Sequence, residues 1–310
     1  MIYAVIADIH GNSAALDAVI ADAEMRGAEG YLLLGDYIRD TPNLNEVVDT
    51  IRALPNCTAI LGNGDIGVLA LDETKPKECA LEQMYPNFWT YHNLSAENLD
   101  YLKSLKETAD ISLSDGKLIH LSHSIGLIAH TPRLGVFHSG DYAVKMEAQP
   151  FAFEDGLRGM QSAAELYADE VAGYPGDICL FGHNHLQFLG RVGNKILCNP
   201  GSCGMPCDYD LRAPYAILSD TEGRTEIKLY RVGYDMEETI AASREFDEFP
   251  HALFWGKLRI ETLKTGSDIA INRFWRHAKN VGGGKFPMEN DVWRRAVATY
   301  QFDPERGVEG

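Results

Sequence analysis

The 310-residue sequence has few cysteines and no long apolar run, and both features exclude classes of protein. The six cysteines, at positions 57, 79, 179, 198, 203 and 207, include no Cys-x-x-Cys pair, which argues against a zinc knuckle. Such scattered thiols are typical of the reducing cytoplasm. No apolar run approaches the ~20 residues of a membrane span, and the start of the chain lacks the basic region of a signal peptide. The sequence therefore predicts a cytoplasmic protein without a membrane partner.

Basic residues are also scarce. Lys and Arg number 28 against 45 Asp and Glu, so the net charge is −17. A surface of this sign repels polyanions, which argues against nucleic acid as a partner. The tail from residue 251 carries ten Lys/Arg and seven Asp/Glu, and a nuclease remains an alternative if this net charge of +3 reverses the field locally. With 45% hydrophobic residues, the chain can bury a core of one large or two ordinary domains.

The amino-terminal third alternates predicted strands with predicted helices. Residues 2–7, 31–34 and 57–61 are apolar and β-prone, and helices are predicted after residue 12 and over residues 43–53. This alternation indicates a βαβαβ unit with a parallel sheet. A polar turn follows each of the three strands, and ligands of such sheets gather at the carboxyl ends of the strands.

The rest of the chain favours short strands and then helices. Further strands are predicted at 110–113, 117–121, 177–180, 188–192, 195–198, 214–219 and 225–232, and helices at 161–172 and 236–246. Residues 125–160 show little periodicity. Two amphipathic segments, 267–279 and 289–300, carry Trp275 and Trp293. We therefore predict one domain over residues 1–246 and a helical C-terminal extension over residues 247–310. The extension is expected to pack on the first domain or on another subunit, giving a homo-oligomer, with a substrate lid as the alternative.

The turns after the predicted strands hold side chains that metals bind. Neutral imidazole is the commonest metal-binding side chain, and a carboxylate such as that of Asp36 can bridge two cations. Each motif alone also fits a capping carboxylate, a turn asparagine or a core histidine. As an ordered set they provide enough ligands for two divalent metal ions of the manganese, iron and zinc group, ~3.5–4 Å apart. The seven candidate ligands are Asp8, His10, Asp36, Asn63, His123, His183 and His185.

The motifs D-x-H-G-N, G-D, G-N-x-D, a lone His after a strand and G-H-x-H resemble, in this order and spacing, the calcineurin-like metallophosphoesterase superfamily. The resemblance covers residues 1 to about 246. It implies an α/β fold, a four-layer α/β/β/α sandwich of two mixed sheets flanked by helices. It also implies a dinuclear centre in which a metal-bridging hydroxide attacks phosphorus. By the resemblance, one metal is bound by Asp8, His10, Asp36 and His185, and the other by Asp36, Asn63, His123 and His183.

Three further residues are expected to act near the phosphate. Asn12 is a candidate donor to a phosphate oxygen, Asp65 a candidate partner of a metal-binding histidine, and Arg39 a candidate bidentate phosphate clamp. The chain departs from the family at Gly64, where a His or Cys is frequent and the His is thought to protonate the leaving group. Candidate replacements for this proton donor are His120, His130 and His138, and His120 is also the alternative to His123 as a ligand.

The sequence therefore predicts a metal-dependent phosphatase or phosphodiesterase that acts on a small soluble phosphoester. A serine/threonine protein phosphatase is an alternative, because Gly35-Asp36-Tyr37 and Gly62-Asn63 also resemble that branch, although Gly64 argues against it. A non-catalytic scaffold of the same fold is a further alternative. Scaffolds of this kind have lost metal ligands, whereas every expected ligand is present here.

Overall fold

The computed structural model of the protein describes residues 1–72, 82–130, 161, 164–221, 223–285 and 288–301. The predicted alternation of strands and helices is present in its amino-terminal part. The strands are β1 Ile2–Ile6, β2 Gly30–Leu33, β3 Cys57–Ala59, β4 Thr108–Ser112, β5 Leu118–Ser122, β6 Ile178–Leu180, β7 Phe188–Val192, β8 Lys195–Asn199, β9 Ala213–Thr221 and β10 Arg224–Val232.

The helices surround these strands and continue beyond them into the C-terminal extension. They are α1 Ser13–Met25, α2 Leu44–Ala53, α3 Asn63–Leu69, α4 Tyr85–Asn93, α5 Ala96–Ser104, α6 Leu127–His130, α7 Ala168–Ala172, α8 Met236–Glu245, α9 Glu248–His251, α10 Leu253–Thr265, α11 Ile269–Val281 and α12 Asn290–Thr299. Two short 3₁₀ turns, Ala70–Asp72 and Glu82–Met84, complete the described elements. None of the helices in the described ranges is long and apolar enough to cross a membrane.

The described strands form two mixed sheets. The first has the order β10-β9-β1-β2-β3, in which β1 pairs in parallel with β2 and antiparallel with β9. The second has the order β4-β5-β6-β8-β7, in which β5, β6 and β8 are parallel and the outer strands are antiparallel to their neighbours. Parallel neighbours bring the carboxyl ends of β1 and β2, and those of β5 and β6, to one edge of each sheet.

The alternation of side chains in β1 shows how the layers are held together. Val5 packs in a core between the two sheets, whereas Ala4 and Ile6 pack on the other side against helices. The strand is apolar throughout because both of its faces are covered. A third cluster covers the outer face of the second sheet and includes Leu127 and Val171. Helices, sheet, sheet and helices therefore form four layers, which confirms the predicted fold class.

The C-terminal extension contains a helix that the sequence patterns did not indicate. Helix α10 lies between the two predicted amphipathic segments and the first domain, and residues on several sides of it are buried. It packs with α11 and α12 through an aromatic cluster in which Trp255 stacks on Trp293 with ring centroids 5.5 Å apart. The extension also contacts the first domain directly, since Gln83 Nε2 donates to the carbonyl of Met288 at 2.5 Å.

Candidate metal centre

The candidate ligands lie on turns that directly follow strands, and these turns are hydrogen-bonded to each other. The backbone N–H of Asp8 donates to the carbonyl of Gly35 at 3.0 Å, and that of His10 donates to the carbonyl of Asp36 at 2.9 Å. The turn after β1 is therefore fixed to the turn after β2. Ser202 Oγ donates to the carbonyl of Asp8 at 2.8 Å and ties the loop after β8 to the same turn.

The backbone of these turns is held in an unfavourable conformation. Nine non-glycine residues in the described ranges have a positive φ, and seven of them belong to the turns of the site: Asp8, His10, Asp36, Arg39, Asp40, His183 and His185. A left-handed backbone costs an L-residue on the order of 1 kcal/mol or more. Such residues persist where the surrounding structure enforces them, and they cluster at functional sites.

Three histidines, His10, His123 and His185, direct their Nε2 atoms toward the interior of the site. The Nδ1 atom of His10 bonds Asp40 Oδ2 at 2.8 Å, that of His123 bonds the carbonyl of Leu34 at 2.7 Å, and that of His185 bonds the carbonyl of Met205 at 2.7 Å. These acceptors hold a proton on Nδ1 and leave Nε2 as the ligand atom. The Nε2 atoms of His10 and His185 are only 3.1 Å apart, a separation that two ligands of one metal adopt.

The two carboxylates of the site are buried and oriented by backbone groups. Asp36 Oδ1 accepts from the N–H of Gly64 at 2.6 Å, while Oδ2 lies 3.5 Å from His123 Nε2 and 4.0 Å from His10 Nε2. Oδ2 therefore faces both groups of histidines, as a bridging oxygen must. The N–H of His183 donates to Asp8 Oδ2 at 3.0 Å, and Asp8 Oδ1 lies 3.6 Å from His185 Nε2.

The donor set fits divalent cations. Two groups of residues place one ligand atom each within 4.8 Å of one another, namely Asp8, His10 and His185, and Asp8, Asp36 and His123. Mixed imidazole and carboxylate donors suit metals of the manganese, iron and zinc group. The grouping differs from the ligand set implied by the resemblance, because Asp8 and not Asp36 is common to both groups, and His183 belongs to neither. Asn63 Oδ1 lies 3.0 Å from His123 Nε2, at the second group, and the ring of His183 packs against that of His123 with centroids 5.2 Å apart.

The metal-free site is strongly polarised. Burial opposes a charge on His123, but the carboxylates of Asp36 and Asp8 outweigh it and raise the pKa of His123 to about 10. Burial likewise opposes ionisation of Asp36, yet the neighbouring His123 and His10 hold the pKa of its carboxyl well below the usual range. Without metal, the site therefore balances its carboxylates with a protonated imidazole.

Metal binding is expected to release protons. With a pKa of about 10, His123 carries a proton on Nε2 at pH 7, and a cation must displace it. The apparent affinity for Mn²⁺ is therefore expected to rise up to about tenfold per pH unit between pH 7 and pH 9 through this one group. Calorimetric titration with Mn²⁺ in buffers of different ionisation enthalpy is expected to show release of at least one proton. The His120→Gln variant should release the same number, and binding without proton release would contradict the assignment.

Asn12 and Asp65 lie behind the ligands. Asn12 is buried, and its side chain caps α1 by accepting from the N–H of Ala15 at 3.1 Å while donating to the carbonyl of Gly204 at 2.9 Å. The Asp65 carboxylate accepts from the N–H groups of Asp36 at 2.8 Å and Tyr37 at 3.0 Å. Asp65 thus holds the backbone at Asp36, whereas the sequence predicted that it orients a histidine. Burial and the charge of Asp36 raise the pKa of Asp65 to about 6. The predicted roles of Asn12 and Asp65 toward substrate remain predictions.

Of the remaining candidates, Arg39 lies at the site and His120 lies away from it. Arg39 lines the cavity beside the ligands, and its Nε donates to Asp40 Oδ2 at 3.1 Å. His120 instead bonds Asp110 Oδ1 through Nδ1 at 2.7 Å, on the strand before His123. The structure therefore places His123, and not His120, beside the other ligands. The side chain of His130 and the whole of His138 lie outside the described residues, so their candidacy as proton donors remains open.

The structure adds residues to the site that sequence reasoning missed. A cavity of about 250 Å³ opens over the ligands, and the C-terminal extension forms one of its walls. That wall consists of Trp255, Arg259, Thr262, Asp268, Ile271 and Trp275. Asp40, which holds His10, was also missed. Its partners in the structure come from its own turn, from His10 and from α10, so no local sequence pattern marks it.

Comparisons with known proteins show the family and the fold of the chain. The sequence model of the calcineurin-like phosphoesterase superfamily domain matches residues 1–223. The protein MJ0912 of Methanocaldococcus jannaschii is 31% identical over 274 residues, in an alignment that covers 82% of this chain and 98% of that protein. A metallophosphoesterase from Sphaerobacter thermophilus superposes with a TM-score of 0.60 at 23% identity, over 86% of this chain and 99% of that one. Protein PH1004 of Pyrococcus horikoshii OT3 superposes with a TM-score of 0.63 at 21% identity, and the match covers 86% of this chain and 98% of that one.

A two-sheet sandwich with buried carboxylates and imidazoles at its strand ends defines a metallohydrolase fold with a metal-binding site. The chain belongs to the calcineurin-like phosphoesterase superfamily, which confirms the resemblance found in the motifs. Membership supports metal-dependent hydrolysis of phosphoesters as its class of activity.

Proposed function

We propose that the chain is a dinuclear metal-dependent hydrolase that cleaves a compact phosphoester. The observation that carries this proposal is the pair of ligand groups that share Asp8, with Asp36 Oδ2 directed toward histidines of both. When bound, two cations would lower the pKa of a shared water and neutralise charge on the phosphoryl oxygens. The identity of the two metals among manganese, iron and zinc is part of the proposal and is decided by metal analysis of the purified protein.

The residues of the chain have separate tasks in this proposal. Asp36 and Asp8 would hold the two metals, and His10, His185 and His123 would complete the two groups with Asn63 and His183. Arg39 lies on the cavity wall, where its guanidinium is available to a phosphate oxygen while its Nε is fixed by Asp40. Residue 64 is a glycine and cannot protonate the leaving group. The site therefore suits a substrate whose leaving group has a low pKa, or one whose leaving group takes its proton from a solvent molecule.

The cavity favours a small substrate over a protein chain. Its volume of about 250 Å³ accommodates a phosphoryl group with one compact substituent. The wall opposite the ligands carries two indole rings and Ile271, so the alcohol part of the substrate meets an apolar surface. This enclosure disfavours the alternative of a serine/threonine protein phosphatase, whose substrate would have to insert a chain segment. The intact donor set disfavours the alternative of a scaffold.

The test of the reaction is a rate comparison. The manganese-loaded protein is expected to hydrolyse para-nitrophenyl phosphate or bis-para-nitrophenyl phosphate, and chelation of the metal is expected to remove the activity. The ratio of the two initial rates decides between phosphatase and phosphodiesterase. Protein that holds two metals per chain and hydrolyses neither these esters nor benzyl phosphate would contradict the proposed reaction, whereas protein that retains little metal would favour the scaffold.

Replacement of Trp255 is expected to change substrate binding and not the chemical step. If the substrate's alcohol part packs on this indole, Trp255→Leu should raise KM for benzyl phosphate roughly three- to tenfold with little change in kcat, since an aromatic contact contributes about 0.5–1.5 kcal/mol. Cyclohexylmethyl phosphate, which has a comparable leaving group but no aromatic ring, should be affected less. Trp293→Leu is the matched control, because Trp293 stacks on Trp255 but does not line this cavity. Equal KM changes in the two variants would contradict the prediction.

The predicted homo-oligomer and the cytoplasmic location remain predictions. Trp293 and Arg294 of α12 contact other described residues of the same chain, as the ion pair between Arg294 and Glu82 shows. Part of the surface of the extension is therefore buried in contacts within one chain. Light scattering of the full-length protein decides whether its outer surface also joins two chains.

A further inference from the structure

The C-terminal extension is connected to one metal ligand by a chain of charged groups. Arg259, on α10, is 6% exposed and contacts residues of the site. In sequence it lies after residue 223, where the match to the superfamily model ends. Its Nε bonds Asp40 Oδ1 at 3.1 Å, and its Nη1 bonds Glu248 Oε1 at 3.0 Å and Oε2 at 3.1 Å. The guanidinium therefore has a fixed position between two carboxylates.

Asp40, which Arg259 holds in place, in turn orients the ring of His10. Its second oxygen, Oδ2, accepts from His10 Nδ1 at 2.8 Å and from Arg39 Nε at 3.1 Å. Because Arg259 and Arg39 hold opposite oxygens, the plane of the carboxylate cannot rotate freely. The backbone of Asp40 is left-handed, with φ of 71°, so the side chain is presented from a conformation that needs outside support.

The other two oriented histidines bond backbone carbonyls and not a side chain held by Arg259, although Met205 packs against Ile260 and Leu263 of α10. His123 Nδ1 bonds the carbonyl of Leu34 and His185 Nδ1 bonds the carbonyl of Met205, both within the first domain. Only the group of Asp8, His10 and His185 therefore contains a ligand that is oriented through α10. The group of Asp8, Asp36 and His123 contains none.

We propose that Arg259 is a positioning residue of the metal centre, which acts through Asp40 on His10 and thereby sets the affinity of one of the two metal positions. This inference rests on the proposed dinuclear function and assigns a part in metal binding to the C-terminal extension. Partners that orient a metal-binding histidine typically change metal affinity 10- to 100-fold. Arg259 acts on His10 only through Asp40, so the smaller effect is expected. Loss of its contact should weaken the metal position at Asp8, His10 and His185 about tenfold and leave the other metal position unchanged.

The experiment is a calorimetric titration of the full-length protein with Mn²⁺ in the absence of substrate. Because Arg259→Met alone would leave Glu248 buried without its partner, the test variant combines Arg259→Met with Glu248→Gln. Glu248→Gln alone is the matched control, since it alters the same cluster and keeps the contact between Arg259 and Asp40. The expected result is two metals of wild-type affinity in the control, and one unchanged and one about tenfold weaker metal in the test variant.

A second pair of variants keeps the inference testable if the first does not fold. Asp40→Asn is expected to weaken the same position, and adding Arg259→Gln, which removes the positive charge, should cause no further loss, because both act through one contact. Arg259→Lys alone should retain most of the affinity, as it keeps the positive charge beside Asp40.

Two outcomes would overturn the inference, and they differ from each other. If the wild-type protein binds fewer than two metals, the dinuclear proposal fails and this inference fails with it. If the wild-type protein binds two metals but the variants weaken both positions equally or neither, the dinuclear proposal stands and the role of Arg259 is refuted.

Discussion

Replacement of Asp36 by alanine is expected to lower kcat by about a thousandfold or more and to reduce the metal content of the protein. Its Oδ2 is directed toward histidines of both ligand groups, so its loss separates the two metal positions. Several kcal/mol of transition-state stabilisation depend on the paired cations, and each 1.36 kcal/mol is a factor of ten in rate. Initial rates on a phosphoester and metal analysis of the same sample measure both effects.

The fold is expected to survive this substitution. Asp36 attracts His123, which lowers the pKa of Asp36, and it repels Asp65, whose pKa is raised by burial and by the charge of Asp36. The substitution therefore removes an attraction and a repulsion together. The metal-free variant should therefore melt within about 4 °C of the metal-free wild type. Asp49→Ala, at a side chain that is 63% exposed, serves as the control for both measurements. Turnover of the Asp36→Ala variant within tenfold of wild type would refute the two-metal assignment.

Replacement of Gly62 by alanine is expected to be nearly as damaging, although Gly62 has no functional group. A Cβ atom at this position would lie 2.2 Å from Asp36 Oδ1 and 2.3 Å from Asp36 N. A backbone nitrogen cannot move aside as a flexible side chain can, so the turn after β2 or the start of α3 must shift. We expect kcat to fall at least about a hundredfold, since displacement of catalytic groups by about 1 Å has effects of this size.

The same substitution should also lower the stability of the protein. Overpacking of a filled site costs about 1–3 kcal/mol, which corresponds to several degrees in the melting temperature. Gly233→Ala is the matched control, because no atom lies within 4 Å of a Cβ at that position. If Gly62→Ala keeps wild-type activity, the close approach of Gly62 to Asp36 is not required for the site.

Gly64 is part of the same close packing, which gives its departure from the family pattern a physical meaning. Its N–H orients Asp36, and a Cβ at residue 64 would lie 3.0 Å from Asp36 Oδ1. A side chain here would need a small shift of the carboxylate. At Gly64 the backbone therefore lies close to the predicted metal ligand Asp36, with no Cβ between them.

The strands and the ligand turns could be predicted because their signals are local. The run from Ile2 to Ile6 is apolar and ends at Asp8, and the same pattern recurs before Asp36 and Asn63. His123, which follows strand β5, lies beside Asp36, whereas His120, within the strand, bonds Asp110. The roles of these residues as ligands remain predictions of the motif set.

Helix α10 could not be predicted from periodicity, because it has hardly any. Leu258, Arg259, Ile260 and Thr262 are all buried, so apolar residues do not mark one face, and Ala252 provides no side-chain cap. Arg259 reads in the sequence as one of several basic residues of the tail. Its importance depends on Asp40, which lies at the other end of the chain.

The order of the strands in the first sheet has a consequence for how the protein is made. Strand β1 is placed between β2, which is synthesised soon after it, and β9, which is synthesised near residue 220. At roughly 5–20 residues per second, Asp8 and His10 leave the ribosome roughly 10–50 s before Arg259 does. During that interval the turn that carries Asp8 and His10 can gain the neighbouring strand β2, but Arg259 is still absent. We therefore expect the candidate ligands and their supports to assemble completely only after α10 has been synthesised, and a chain truncated before α10 to lack the contact of Arg259 with Asp40.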